Sequence, residues 1–192
     1  MRNFFILHGT EGSPYGNWFQ WLYDKIEYKG YKCYCPHLPT LENQSYANWE
    51  SIMLSYLNQG LITEETTFVC HSSACIFLVK FCIKNNVRIG KLISVAGFNN
   101  CSCGDSEYDK ANSSFFVSNP SPFIELCKQR VCLYSDNDKY LKLSELKAFA
   151  ESIRGEHVLL KNCGHLNKES GFTKLSAIEL YLNLPRYDEQ SY

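Results

Sequence analysis

The strongest constraint on the fold of this chain is a repeated alternation between short apolar runs and helical patterns. Six runs of four or five residues predict β-strands, at residues 4–7, 31–35, 66–69, 92–96, 131–134 and 157–160. Segments of helical spacing lie between or after them, at about 18–26, 49–57, 74–83, 143–153 and 173–182. This order predicts an α/β protein, a three-layer α/β/α sandwich around a mainly parallel sheet of about six strands.

The length of 192 residues predicts one domain, which we place at residues 1–185. The alternation is interrupted at about 97–122, where asparagine, serine, glycine and proline are frequent. This insertion is about twice the usual length of a connection, and long irregular segments in compact domains often cover functional sites. Residues 186–192 are mostly polar and predict a frayed tail.

The charge and cysteine pattern excludes several classes of function. A formal net charge of -1 without a basic cluster argues against nucleic acid as a partner. No apolar run approaches the ~20 residues of a membrane span, and the first run is too short for a secretory signal. We therefore expect a cytoplasmic protein whose ten cysteines are reduced thiols. The pairs Cys33-x-Cys35 and Cys101-x-Cys103 lack further ligands, so no metal or cofactor is expected.

One decapeptide, FVCHSSACIF at residues 68–77, predicts a strand that turns sharply into a helix. A serine at such a bend can be a strained, exposed nucleophile if the residues two before and two after it are small. Around Ser72 these residues are Cys70 and Ala74, which are small although neither is the usual glycine. The alternative, Ser73, would require His71 at a crowded position, so Ser72 is the better candidate.

A serine nucleophile also needs donors for the negative charge that develops on the substrate carbonyl oxygen. The backbone N–H of Ser73, at the start of the helix, is one candidate. The loop after the first strand offers Thr10 or Glu11 as the second, and the sequence does not separate them.

The base and its orienting acid are expected on loops after later strands. Asp138 and Asp136 both follow the fifth strand, and Asp138 is favoured because it has more room to turn back. His165 follows the sixth strand beside a glycine. Ser72, Asp138 and His165 would then meet beyond the carboxyl ends of parallel strands. His71 is predicted to serve packing, and Phe98, Phe115 and Phe116 are weaker candidates for lining a substrate pocket.

Several motifs together resemble those of a known family: His8-Gly9-Thr10, Gly12-Ser13-Pro14, Trp18, Leu38-Pro39, Trp49, His71-Ser72-Ser73, Asp138 and Gly164-His165. From about residue 4 to 182, the chain resembles the small α/β-hydrolases of the retinoblastoma-binding protein nine and YdeN-like type. The resemblance implies the α/β-hydrolase fold and a triad of Ser72, Asp138 and His165.

The expected activity is that of a carboxylesterase-like serine hydrolase, which cleaves a small ester, thioester or amide. Its partner would be a small-molecule acyl substrate, and a protein partner is unknown. The alternative is a binding protein on the same fold that has lost turnover. The absence of glycine at positions 70 and 74 motivates that alternative.

Overall fold

The computed structural model describes residues 2–100 and 106–184, which form one six-stranded parallel sheet with helices. The strands, in chain order, are β1 (Asn3–Leu7), β2 (Lys32–Tyr34), β3 (Thr67–His71), β4 (Ile89–Val95), β5 (Cys127–Ser135) and β6 (Glu156–Leu160). Their order across the sheet is β2-β1-β3-β4-β5-β6, and every neighbouring pair is parallel. The predicted fold class and all six predicted strands are confirmed.

The described residues contain six α-helices: α1 (Phe19–Tyr28), α2 (Tyr46–Asn58), α3 (Ser73–Asn85), α4 (Ser106–Ser113), α5 (Phe123–Leu126) and α6 (Leu143–Ser152). Two 3-10 helices follow β6, at Lys168–Ser170 and Ser176–Tyr181. None of the helices in the described part of the chain has the length and apolar character of a bilayer-crossing segment.

Side chains of the central strands are buried on both faces of the sheet, as expected when parallel strands are covered on both sides. In β1, Phe4 and Ile6 pack on the face that α1 covers, whereas Phe5 and Leu7 pack on the opposite face. That opposite face is covered by α2, α3 and α6. The period of two along the strand therefore divides the apolar residues between two cores. Together the two cores fix the strand ends that carry the candidate site.

The last predicted helix, residues 173–182, is wrong in type and extent, because the segment forms a 3-10 helix at Ser176–Tyr181. Its backbone hydrogen bonds join residues three apart, from Ile178 N–H to the Leu175 carbonyl at 3.1 Å and from Leu182 N–H to the Glu179 carbonyl at 3.3 Å. The end of the segment is anchored to the sheet, where Lys91 Nζ donates to the Tyr181 carbonyl at 2.7 Å and Arg2 Nη2 donates to the Leu182 carbonyl at 2.5 Å.

The insertion at 97–122 contains α4, which the sequence did not reveal. The only residue of α4 that is buried is Asn112, so the helix has no apolar stripe to identify it. The pair Cys101-x-Cys103 and the tail at 186–192 lie outside the described residues.

Candidate active site

Ser72 joins β3 directly to α3 and occupies a backbone conformation that residues other than glycine rarely adopt. Its φ is 56° and its ψ is -127°. The Ser72 N–H donates to the Val95 carbonyl of the neighbouring strand at 2.8 Å, and the Ser72 carbonyl accepts from Cys75 N–H at 3.0 Å. The sheet and the first turn of α3 therefore hold the strained residue from both sides.

The loop after β1 packs tightly against this bend. A Cβ atom placed on Gly9 would lie 2.9 Å from the Ser72 Cβ and 2.9 Å from the His71 carbonyl oxygen. Only glycine allows this close approach. Cys70 and Ala74, which lie two residues before and two residues after Ser72, are completely buried.

His165 and Asp138 form a buried hydrogen-bonded pair on the loops that follow β6 and β5. The Nδ1–H of His165 donates to Asp138 Oδ2 at 2.6 Å, and the two side chains are 8% and 0% exposed. The other carboxylate oxygen of Asp138 accepts from the N–H groups of Tyr140 and Leu141, at 2.8 and 3.2 Å. A carboxylate held by three donors has a fixed orientation, and it leaves His165 Nε2 as the ring nitrogen with a free lone pair.

The loops after β5 and β6 are joined by hydrogen bonds that bring His165 toward the acid. Asp136 Oδ1 accepts from Asn162 N–H at 2.8 Å, and Asn137 Oδ1 accepts from Gly164 N–H at 2.8 Å. Asp136, the alternative acid of the sequence analysis, is exposed and uses its carboxylate in this junction. The structure thus places Asp138, and not Asp136, against His165.

Two buried histidines support the loops of the site. Nε2–H of His71 donates to the His165 carbonyl at 3.0 Å, so His71 does more than fill space. Burial, followed by the proximity of His165, lowers the pKa of His71 to about 3, which keeps the ring neutral. His8 accepts from Leu38 N–H at 3.1 Å and donates through Nδ1 to the Gly9 carbonyl at 3.0 Å.

A cavity of about 240 Å³ opens at this end of the sheet. Its lining combines the candidate nucleophile and base with aromatic, apolar and polar side chains: Thr10, Ser72, Phe98, Tyr108, Asn112, Tyr140, Leu141 and His165. Ser72 and His165 therefore share one cavity, although their sequence positions are far apart. The arrangement brings a strained serine, a carboxylate-oriented imidazole and a helix N-terminus together, which is suited to acyl transfer.

Comparisons with known proteins identify the family and the fold of the chain. A family model described as serine hydrolase matches residues 4–184. The chain belongs to the serine hydrolase family. Over 179 residues, which cover 92% of each protein, this serine hydrolase is 25% identical to the candidate hydrolase YdeN of Bacillus subtilis strain 168.

Solved structures show that the serine hydrolase has the α/β-hydrolase fold. The ydeN gene product of B. subtilis matches with a TM-score of 0.84 at 23% identity, over 95% of this chain and 97% of that one. A YdeN-like protein from Pectobacterium atrosepticum gives 0.67 at 14% identity, over 95% and 90%. Est1E from Butyrivibrio proteoclasticus, solved with ferulic acid bound, gives 0.70 at 11%, over 96% and 89%. These relatives support the YdeN part of the resemblance but not the retinoblastoma-binding protein nine part.

The aromatic residues proposed for the substrate pocket of the serine hydrolase are separated by the structure. Phe98 lines the cavity, whereas Phe115 is completely buried in the core, with its ring centroid 4.5 Å from that of Trp49. Phe116 packs against the same core. We therefore do not assign Phe115 or Phe116 to the substrate site. The cavity residues that sequence reasoning missed are Tyr108, Asn112, Tyr140 and Leu141, which lie on an unrecognised helix and an irregular loop.

The candidate oxyanion donors are arranged unequally. No acceptor for the Ser73 N–H lies among residues 2–100 and 106–184, so this group is free to donate to a substrate. The Thr10 N–H already donates to Ser73 Oγ at 3.0 Å, and the two hydroxyl oxygens of these residues are also 3.0 Å apart. Glu11, the other candidate, is exposed and has a positive φ of 55°.

The thiols near the site are not activated. Burial raises the pKa of the Cys70 thiol well above its ordinary value, and burial followed by Asp136 raises the pKa of Cys163. Within the described residues, no three histidine, cysteine, aspartate or glutamate side chains form a group that could hold a metal ion.

Proposed function

We propose that the chain is a carboxylesterase-like hydrolase that cleaves a small ester, thioester or amide through an acyl-enzyme on Ser72. The observation that carries the proposal is the 2.6 Å hydrogen bond from His165 to Asp138, at the wall of the cavity that strained Ser72 also lines. The cavity volume of about 240 Å³ suits a small acyl group. The eight cysteines that the structure describes are free thiols, which supports a cytoplasmic location.

In the proposed reaction, Ser72 Oγ attacks the substrate carbonyl while His165 Nε2 accepts its proton. Asp138 holds the imidazole in the tautomer that has its proton on Nδ1 and stabilises the cation that forms. His165 then gives its proton to the alcohol, thiol or amine as the bond between the carbonyl carbon and this leaving group breaks. The acyl group stays bonded to Ser72 Oγ as an ester. Water attacks this ester with His165 again as base, which releases the acid and restores Ser72.

The Ser73 N–H is the proposed first donor to the oxyanion, because it has no acceptor among the described residues and lies at the N-terminus of α3. For the second donor, Thr10 N–H would have to be shared between the substrate and Ser73 Oγ, which it already contacts at 3.0 Å. Glu11 N–H is the other candidate on the same loop.

The proposal is tested by reacting the folded protein with a fluorophosphonate probe and mapping the adduct by mass spectrometry. We expect labelling on Ser72, loss of labelling in Ser72→Ala, and turnover of p-nitrophenyl acetate that disappears with it. Ser73→Ala is the matched control, because it removes the neighbouring hydroxyl and should leave the adduct on residue 72. A native protein that takes no label would instead support the binding-protein alternative, and an adduct on Ser73 would contradict the assignment of the nucleophile.

A further inference from the structure

Asn112 is an unusual residue in the cavity wall, because it is polar, only 4% exposed and carried by the insertion helix α4. Its Oδ1 accepts from Thr10 Oγ1 at 2.6 Å and from Gln44 Nε2 at 3.0 Å. Gln44 Nε2 also donates to Thr10 Oγ1 at 2.9 Å. The side chain of Asn112 is therefore fixed by two donors that both contact its carbonyl oxygen.

The direction of this amide follows from a backbone group and does not depend on an arbitrary choice between oxygen and nitrogen. The Leu41 N–H can only donate, and it lies 3.3 Å from one amide atom of Gln44, which must be the oxygen Oε1. The other amide atom of Gln44 is then the nitrogen, and it faces Asn112. The Asn112 atom that it contacts must be an acceptor, so the amino group Nδ2 points away from Gln44.

The amino group of Asn112 has no hydrogen-bond partner in the part of the chain that the structure describes. Among the described residues, none places an acceptor within hydrogen-bond distance of Nδ2. The one described side-chain nitrogen or oxygen that is both sealed from solvent and unpaired is Arg130 Nε, so Asn112 Nδ2 is not sealed. Asn112 lines the cavity that Ser72 and His165 also line, so this cavity is the open space in which its unsealed amino group could meet a ligand. A solvent-accessible N–H donates to water in the free protein, and an acceptor atom on a bound ligand would take the place of that water.

The surroundings favour a neutral acceptor. Neither lysine nor arginine occurs among the described residues that line the cavity. Two carboxylates contact the tyrosines of its wall: Glu11 accepts from the Tyr108 hydroxyl, and Glu169 accepts from the Tyr140 hydroxyl at 2.8 Å. Lys139, the cation beside Tyr140, is paired with Glu169. An anionic substrate would meet net negative charge here, whereas a neutral oxygen would not.

We infer that Asn112 is a specificity-determining residue that donates a hydrogen bond to a neutral acceptor oxygen, such as an ether or ketone, on the acyl group of the substrate. This inference rests on the proposed function of the same cavity. It narrows the substrate class to small neutral acyl groups that have one acceptor atom besides the reacting carbonyl. Phe98 and Leu141 would contact the apolar part of such a group. A site built to pair such an oxygen discriminates against the analogue that lacks it.

The test compares two esters of equal shape, p-nitrophenyl methoxyacetate and p-nitrophenyl butyrate, in which an ether oxygen replaces a methylene group. Asn112→Asp is the informative variant, since the carboxylate keeps the acceptor that Thr10 and Gln44 bind and replaces only the free amino group. Ser113→Asp is the matched control, because it adds the same charge at the next, exposed residue. The ratio of kcat/KM for the two esters cancels any general effect of the new charge on His165. Comparing this ratio between a variant and the wild type cancels the difference in intrinsic reactivity of the two esters.

We expect Asn112→Asp to lower this methoxyacetate-to-butyrate ratio by about 10- to 100-fold, the usual effect of losing a neutral hydrogen bond and opposing two acceptors. Ser113→Asp should leave the ratio and the activity at the wild-type values. Fluorophosphonate labelling of Ser72 in each variant shows that the site is folded, and wild type that does not label would contradict the proposed function itself. With labelling intact, an unchanged ratio would overturn the inference.

Discussion

His71 should make the stability of the protein fall sharply in mild acid. Its pKa is lowered to about 3 by burial, whereas an unfolded histidine titrates near 6.5. Between these values the unfolded chain binds a proton at this residue and the folded chain does not. The contribution of neutral His71 to stability is therefore fully present above pH 6.5 and is lost as the pH falls toward 3.

The expected size follows from the two pKa values. The unfolded histidine is protonated mainly below pH 6.5, so about 1.5 units of the interval from pH 7.5 to pH 5.0 count. Each of these units lowers the free energy of unfolding by about 1.4 kcal/mol. His71 alone should then reduce the free energy of unfolding by roughly 2 kcal/mol across this interval, a large part of the ~5–15 kcal/mol typical of a domain. His8, whose pKa is also lowered by burial, adds a loss of the same sign.

Urea denaturation at pH 7.5, 6.0 and 5.0 measures this effect. In His71→Gln the side-chain amide can still donate to the His165 carbonyl, but no proton is taken up on unfolding, so the pH-dependent loss should shrink by about 2 kcal/mol. His157→Gln removes an exposed histidine from β6 and is the matched control. A loss in His71→Gln equal to that of wild type would refute the assignment of a neutral buried imidazole at residue 71.

Two further predictions concern the triad and the strained bend. Asp138→Asn should lower kcat for p-nitrophenyl acetate on the order of 10⁴-fold, because the imidazole loses its orienting carboxylate, whereas Asp136→Asn should change it by no more than a few-fold; equal losses would contradict the choice of acid. Ser72→Gly should be about 1 kcal/mol more stable than Ser72→Ala in thermal denaturation, since glycine adopts a φ of 56° and a ψ of -127° without strain. If the glycine variant melts no higher than the alanine variant, the bend is not strained.

The sheet could be predicted from sequence because each strand contains a short apolar run, and turn-forming or polar residues follow that run. The bounds of the strands were less accurate. β5 begins at Cys127, four residues before the predicted 131, and its first residues pair with β4. They were missed because most of them carry polar side chains. α4 was missed because the one buried residue that it contributes is an asparagine. The 3-10 helix at Ser176–Tyr181 is anchored at its end by contacts from Arg2 and Lys91, which lie far away in sequence.

The candidate site divides in the same way. The proximity of Asp138 and His165 was expected, because consecutive parallel strands present their following loops at one edge of a sheet. Their catalytic roles, with that of Ser72, stay predictions. Two contacts had no sequence signal because they join residues far apart in the chain. The hydrogen bond from His71 to the His165 carbonyl spans 94 positions, and the contact of Gln44 with Asn112 spans 68. Polar networks of this kind follow no periodicity.

The loop junction after β5 and β6 has an evolutionary consequence. The hydrogen bonds that Asp136 and Asn137 accept from Asn162 and Gly164 hold the two loops together, and α4 takes no part in them. Substrate choice, by contrast, would depend on the surface that α4 presents. Under the proposed function, mutations on α4 would change which substrates are accepted while the contacts that hold His165 and Asp138 together stay the same. Related proteins would then diverge in substrate and keep the same proposed chemistry.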